Sequence, residues 1–156
     1  MGTRSTIALE FADGTVQQVY CHWDGYLSHN GRILAEHYMD PFKLRDLIDQ
    51  GDLSSLGPNI GTQHPFSPHG GKEGDVVLYE VAQEAGHCTF YARDRGETGV
   101  SARKFVDYEN YVRCHQYEEF EYILRQVNGR AVWFVDCGAT GYVTLQTALI
   151  NCKEAA

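Results

Sequence analysis

Apolar and polar positions alternate at the start of the chain. They predict two strands, residues 5–11 (STIALEF) and 15–21 (TVQQVYC), joined through Ala12-Asp13-Gly14, a hairpin signal. Ile7, Leu9 and Phe11 share one face of the first strand. The second alternates less cleanly, with Val16 on one face and Val19 and Cys21 on the other. The spacing then turns helical. Residues 30–39 predict a short helix with Asn30 as its cap and Ile33, Leu34 and Tyr38 on its apolar side. A second helix has Asp40 as N-cap, Pro41 in the first helical position, a Leu44/Leu47/Ile48 stripe and Gly51 as its stop. Residues 51–57 read as a compact turn.

Three of the four prolines fall in residues 58–75, and this stretch predicts a long loop, either a mobile flap over a site or a tolerated insertion. Residues 76–81 (VVLYEV) and 87–93 (HCTFYAR) have strand character, and 94–99 break it. Residues 104–114 fit neither period well and are assigned to a strand. Tyr117, Phe120, Ile123, Leu124 and Val127 recur at 3.6-residue spacing, so 116–128 predicts a helix ended by Gly129. Residues 131–136 form a buried type of strand. Gly138 to Gly141 make a turn, and 142–149 pair back as a second hairpin. The order places helices in blocks rather than between successive strands. The expected class is therefore α+β, a mainly antiparallel sheet built from N- and C-terminal hairpins with about three helices packed against it. The length of 156 residues fits a single domain, 1–156, with a flexible loop at about 58–75.

Composition narrows the partners. With 21 acidic and 13 basic side chains the formal charge is −8, which disfavours direct nucleic-acid binding because that needs a basic face. The same charge suits a solvated acidic surface, or a protein that fills a partner's basic groove. No apolar run approaches the ~20 residues that span a bilayer, so no membrane is expected. Five cysteines, an odd number, with no hydrophobic signal region predict free thiols in a cytoplasmic setting.

The densest chemistry lies in residues 20–26, Tyr-Cys-His-Trp-Asp-Gly-Tyr. Trp23 and Tyr26 offer flat faces for a base or sugar, Asp24 can accept from ribose hydroxyls or a base amine, and His22 can donate to a phosphate or exchange a proton near neutral pH. The same residues also read as a turn, Asp24-Gly25, with Trp23 sealing the core. Arg93 and Arg95 project on one side if 87–93 is a strand, and with Arg103 and Lys104 they form a local cationic surplus suited to phosphate or carboxylate. Alternatively they mark an exposed strand end paired with Asp94 or Glu97. The doublets Cys21-His22, His87-Cys88 and Cys114-His115 lack the close spacing of a structural zinc site, and no metal or cofactor is expected. No Gly-x-Ser-x-Gly, Walker loop or His-Glu-x-x-His is present, so no catalytic residue is assigned.

Three segments carry a resemblance: Thr3-Arg4-Ser5-Thr6-Ile7, Val19-Tyr20-Cys21-His22-Trp23-Asp24-Gly25-Tyr26 and Gly51-Asp52-Leu53-Ser54-Ser55-Leu56-Gly57. With Tyr91-Ala92-Arg93-Asp94-Arg95-Gly96-Glu97 downstream, the chain resembles a family of small phage and prophage proteins of unassigned activity. Where that family has proline after Gly-Tyr, this chain has Leu27. The resemblance implies a phage accessory protein that counters host defence in the host cytoplasm. Three functions follow as expectations: a binder that sequesters a nucleotide-derived signal, an acidic inhibitor of a host defence protein, or a phosphoesterase using His22, Asp24 and the arginines. The residues expected at the ligand are Arg4, His22, Trp23, Asp24, Tyr26, Tyr91, Arg93, Arg95 and Arg103. A homodimer would give so small a protein the shared walls of a deep pocket.

Overall fold

The computed structural model describes residues 2–115 and 117–155. Its centre is a sheet of eight strands among the described residues: β1 (Ser5–Glu10), β2 (Val16–Cys21), β3 (Leu53–Ser55), β4 (Thr89–Phe90), β5 (Arg103–Phe105), β6 (Phe120–Val127), β7 (Arg130–Cys137) and β8 (Tyr142–Thr144). The order across the sheet is β4-β3-β2-β1-β6-β7-β8, with β5 also pairing β2. Pairs β1–β6 and β2–β3 are parallel and the other five are antiparallel. The class is α+β with a mostly antiparallel sheet. The N-terminal hairpin forms at Asp13-Gly14, where Gly14 takes φ +91°.

The helices exceed the three expected. Six are described: α1 (Arg32–His37), α2 (Pro41–Asp49), α3 (Asp75–Glu84), α4 (Tyr91–Arg95), α5 (Tyr108–Cys114) and α6 (Leu145–Ala155), with a π-helical turn at Leu27–Gly31 before α1. α2 has the expected ends: Asp40 accepts from Phe42 N at 2.9 Å, Pro41 opens the helix and Gly51 takes φ +84°. Asn30 is not a cap. It lies buried inside the π turn, and Gly31 precedes α1.

One face of the sheet, with Ile7, Leu9, Val19, Leu53, Tyr122, Leu124 and Val135, packs against Leu34, Tyr38, Leu44, Leu47 and Leu145 of the helices. The other face, with Ala8, Val16 and Ile123, is covered by Tyr111 of α5. This two-sided burial explains the largest misreading. Residues 120–127 are a strand, not a helix, because β6 sits between β1 and β7 with apolar side chains on both faces. A strand buried on both faces loses its alternation, and its apolar positions then mimic a helical period. The start of the misread span, Gln116, lies outside the described residues.

Other differences have similar local causes. Residues 53–55 leave the expected turn and pair as a strand beside Cys21. Residues 76–81 are helical despite their β-branched run, because the chain buries Asp75 and Ala82 along one side of α3 rather than alternate side chains of a strand. Residues 87–93 form a strand only at Thr89–Phe90. α4 then begins at Tyr91, and Asp94 within it reaches back to accept from Phe90 N at 2.7 Å. Residues 104–114 divide into β5 and α5, and 142–149 pair only as far as Thr144 before α6 begins. Among the described residues no helix is long and apolar enough to cross a membrane.

The second face also buries an ion pair. His115 Nε2 lies 2.5 Å from Glu121 Oε1, with both side chains excluded from water. Burial pulls the His115 pKa down, but contacts with the Glu121 carboxylate and the Tyr111 carbonyl outweigh it, and the net shift is upward. A proton held more tightly in the folded chain stabilises it fully below the ordinary histidine pKa of about 6.5 and ceases to do so as pH rises through the raised value. The thermal midpoint is expected to fall across that window. Glu121→Gln should flatten the slope, which differential scanning calorimetry at a series of pH values will read.

Candidate functional site

The segment after β2 is shaped by a buried amide. Asn30 Nδ2 lies 3.3 Å from Ser5 Oγ, 3.4 Å from Cys21 Sγ and 3.3 Å from the Trp23 carbonyl. Asn30 N donates to the Asp24 carbonyl, and Gly25 N to Thr3 O. The Tyr122 hydroxyl donates to Gly25 O at 2.7 Å. Gly25 is required because a Cβ there would stand 2.7 Å from Ser5 Cβ and 2.8 Å from Thr3 O. Asp24 takes φ +57°, a left-handed conformation uncommon outside glycine. Burial, the largest influence, pushes the Cys21 thiol up to about 12, so Cys21 belongs to this frame as an unreactive packing group.

Held in this way, Trp23 does not seal the core. It is 42% exposed, and with Asp24 it walls a cavity of about 350 Å³. The opposite walls come from Ser54 and Ser55 of β3, Thr89 of β4, Tyr79 and Gln83 of α3, and Phe66 and Ser67 of the long loop. The surface therefore combines three aromatic rings with hydroxyls and a carboxylate. A second cavity of about 790 Å³ shares Phe66 and Ser67 with the first and is lined further by His64, Lys72, Leu78, Asp94 and Arg95. Arg95 lies 4.5 Å from the centre of the Phe66 ring and 5.3 Å from that of Tyr91, and it pairs with Glu97. Burial raises the Tyr91 pKa, while a hydrogen bond with Ser54 and the charge of Arg95 pull the other way, and the phenol stays protonated near neutral pH.

Not every expected residue faces these cavities. Arg93 is on α4 rather than on a strand, and its side chain is only 11% exposed. Its guanidinium donates to the carbonyls of Ile60, Gly61 and Cys88 and to the Asp94 carboxylate. His64 N also donates to Asp94, and the His64 ring contacts the carbonyls of Pro65 and Cys88. Arg93, Asp94 and His64 thus form a knot that fixes residues 60–65, so this half of the long loop is a pinned wall and not a free flap. Arg103 pairs with Asp52 at 2.9 Å, and the same carboxylate oxygen accepts from Tyr20 N, so Arg103 fastens β5 to the sheet. His22 Nδ1 shares a 2.7 Å hydrogen bond with the Tyr20 hydroxyl. Arg4 is exposed, and its charge acts on Tyr20. Tyr26 packs near His29 and is absent from the lining of both cavities.

Trp23, Asp24 and Arg95 are therefore the sequence-expected residues that line the two adjoining cavities, with Tyr91 supporting Arg95. Phe66, Tyr79, Lys72 and the Ser54/Ser55/Thr89 hydroxyls were not anticipated. The Gly51 to Gly57 segment was the one available signal for the serines. Among the described residues, no three His, Cys, Asp or Glu side chains are grouped to hold a metal ion. Of His22, Asp24 and the two arginines expected of a phosphoesterase, Asp24 and Arg95 line the cavities, His22 does not, and Arg93 is committed to the loop.

Arg93→Ala removes the cation from a carboxylate that has no exposure of its own, a change that typically costs about 3 kcal/mol. Hydrogen exchange should accelerate selectively at residues 60–65. Lys at this position should restore little, since it cannot reproduce the planar set of donors. The chain matches no protein-family model, no curated protein and no solved structure.

Proposed function

We propose that this chain binds and sequesters a nucleotide-derived small molecule, as a phage accessory protein that lowers the concentration of a host defence signal. The observation that carries this reading is the exposed Trp23 beside a strained Asp24 in a cavity rich in hydroxyls, next to a second cavity bearing Arg95 and Lys72. Aromatic faces suit a base, the carboxylate and hydroxyls suit ribose, and the cations suit phosphate. The strain at Asp24 also fits a ligand site, since a non-glycine residue persists there only when its surroundings fix it.

The alternative of an acidic inhibitor draws less support. Asp52, Asp75, Asp94, Glu121 and Asp136 are buried, and Asp40 and Asp107 cap helices, so seven of the 21 acidic side chains have roles within the fold. The phosphoesterase reading keeps Asp24 and Arg95 at the cavities, but Arg93 is committed to the loop and His22 is absent from both linings.

A thermal-shift panel of cyclic and ADP-ribose-type nucleotides tests the proposal. A true ligand at a hundredfold excess over its Kd stabilises by about 2.7 kcal/mol, or about 5 °C or more at this size. Trp23→Ala and Arg95→Ala should each weaken binding about tenfold by isothermal titration calorimetry. Heat release should return the ligand chemically unchanged. The absence of a shift with every nucleotide in the panel would overturn the reading.

A further inference from the structure

Strand β8 stops short of its neighbour. It pairs with β7 only at Phe134, Val135 and Asp136, because the chain turns into α6 after Thr144. Residues 130–133 of β7 therefore have no described strand on their outer side. A cavity of about 610 Å³ opens there, with walls from α1 and α6. It shares no lining residue with the two cavities near Trp23.

The lining is mostly apolar. Trp133 is buried, and its indole N–H donates to the Tyr38 carbonyl at 3.2 Å, so the ring needs no polar partner from an occupant. Met39 and Ile150 belong to the same lining, and both are exposed. Large apolar side chains thus gather at a concave space, unlike the single ones normally scattered on a surface. Small-molecule sites occupy roughly 300–1,000 Å³ and combine apolar walls with a few placed polar groups. The charged groups here have one sign. Arg32 from α1 and Arg130 from β7 line the cavity, and no Asp or Glu does among the described residues, although the chain has 21 acidic and 13 basic side chains. Among the described residues the Arg130 guanidinium has no ion pair. Arg32 meets Glu36 at 3.8 Å with both side chains well exposed, a contact weak enough for an incoming anion to displace.

We propose that this cavity binds a free aliphatic monocarboxylate, a fatty-acid-like molecule whose chain lies against Trp133, Met39 and Ile150 and whose carboxylate is held by the arginines. A guanidinium presents paired donors that match a carboxylate, and a methionine side chain adapts to an irregular apolar partner. The site stands whether or not the chain also binds a nucleotide.

Tryptophan fluorescence tests it. Trp23→Phe leaves Trp133 as the only tryptophan. In that protein, undecanoate tipped with bromine, which quenches indole emission on contact, should quench Trp133 saturably with a midpoint on the order of 100 µM. The matching bromine-tipped alcohol should bind at least about tenfold more weakly. Arg32→Gln with Arg130→Gln should weaken carboxylate binding at least about tenfold, and so should Ile150→Glu, which sets a carboxylate in the wall. Circular dichroism checks that these variants stay folded, and the alcohol comparison needs neither of them. No saturable quenching, equal quenching by the alcohol, or binding unchanged in the double-glutamine or Ile150→Glu protein would overturn the proposal. So would quenching by vesicles of brominated phospholipid with none by the free carboxylate, which would assign the face to a membrane surface.

Discussion

The site depends on a constraint that lies beneath it. Asn30 is fully buried and its amide touches β1, β2 and the start of the following turn at once. A buried amide without partners would be costly, so the chain between Cys21 and Asn30 can close only in a form that supplies them. That form brings Gly25 against the first strand and forces Asp24 into the left-handed region. The exposed position of Trp23 follows from this closure. Tyr122, on the strand parallel to β1, completes the lock through the Gly25 carbonyl.

The second constraint is the knot at α4. Arg93 and Arg95 look alike in the sequence, yet Arg93, together with Asp94, is turned inward to satisfy carbonyls and amides of neighbouring segments. Arg95, two residues on, is the outward cation. The helical geometry of residues 91–95 makes the difference. On a strand, residues two apart share a face. On a helix they diverge by about 200°, so one arginine serves the scaffold and the other faces the cavity.

These particulars show what sequence reasoning could reach. The N-terminal hairpin, α2 and β7 were legible because turn residues, caps and local periodicity determine them. Strand β6 was misread because its environment is nonlocal: β1 and β7 bury it on both sides, and no short window contains that information. Helix α3 was misread because its β-branched residues point to a buried strand, and only its exposure shows otherwise. For the site, Trp23, Asp24 and Arg95 stood out by residue type. Phe66 and Tyr79 did not, since a ring in a proline-rich loop and one in an apolar run look ordinary until the fold brings them to Trp23.

The parallel pairing of β1 with β6 joins Ser5 to Phe120 and Leu9 to Leu124. The two halves of the sheet therefore meet at a seam between segments more than a hundred residues apart. Closing so large a loop is entropically demanding and tends to make folding slow. On the ribosome, the first hairpin emerges long before its partner and must wait with one edge unpaired. An interrupted chain that stops short of β6 would retain that open edge, a surface on which strands of other chains can add.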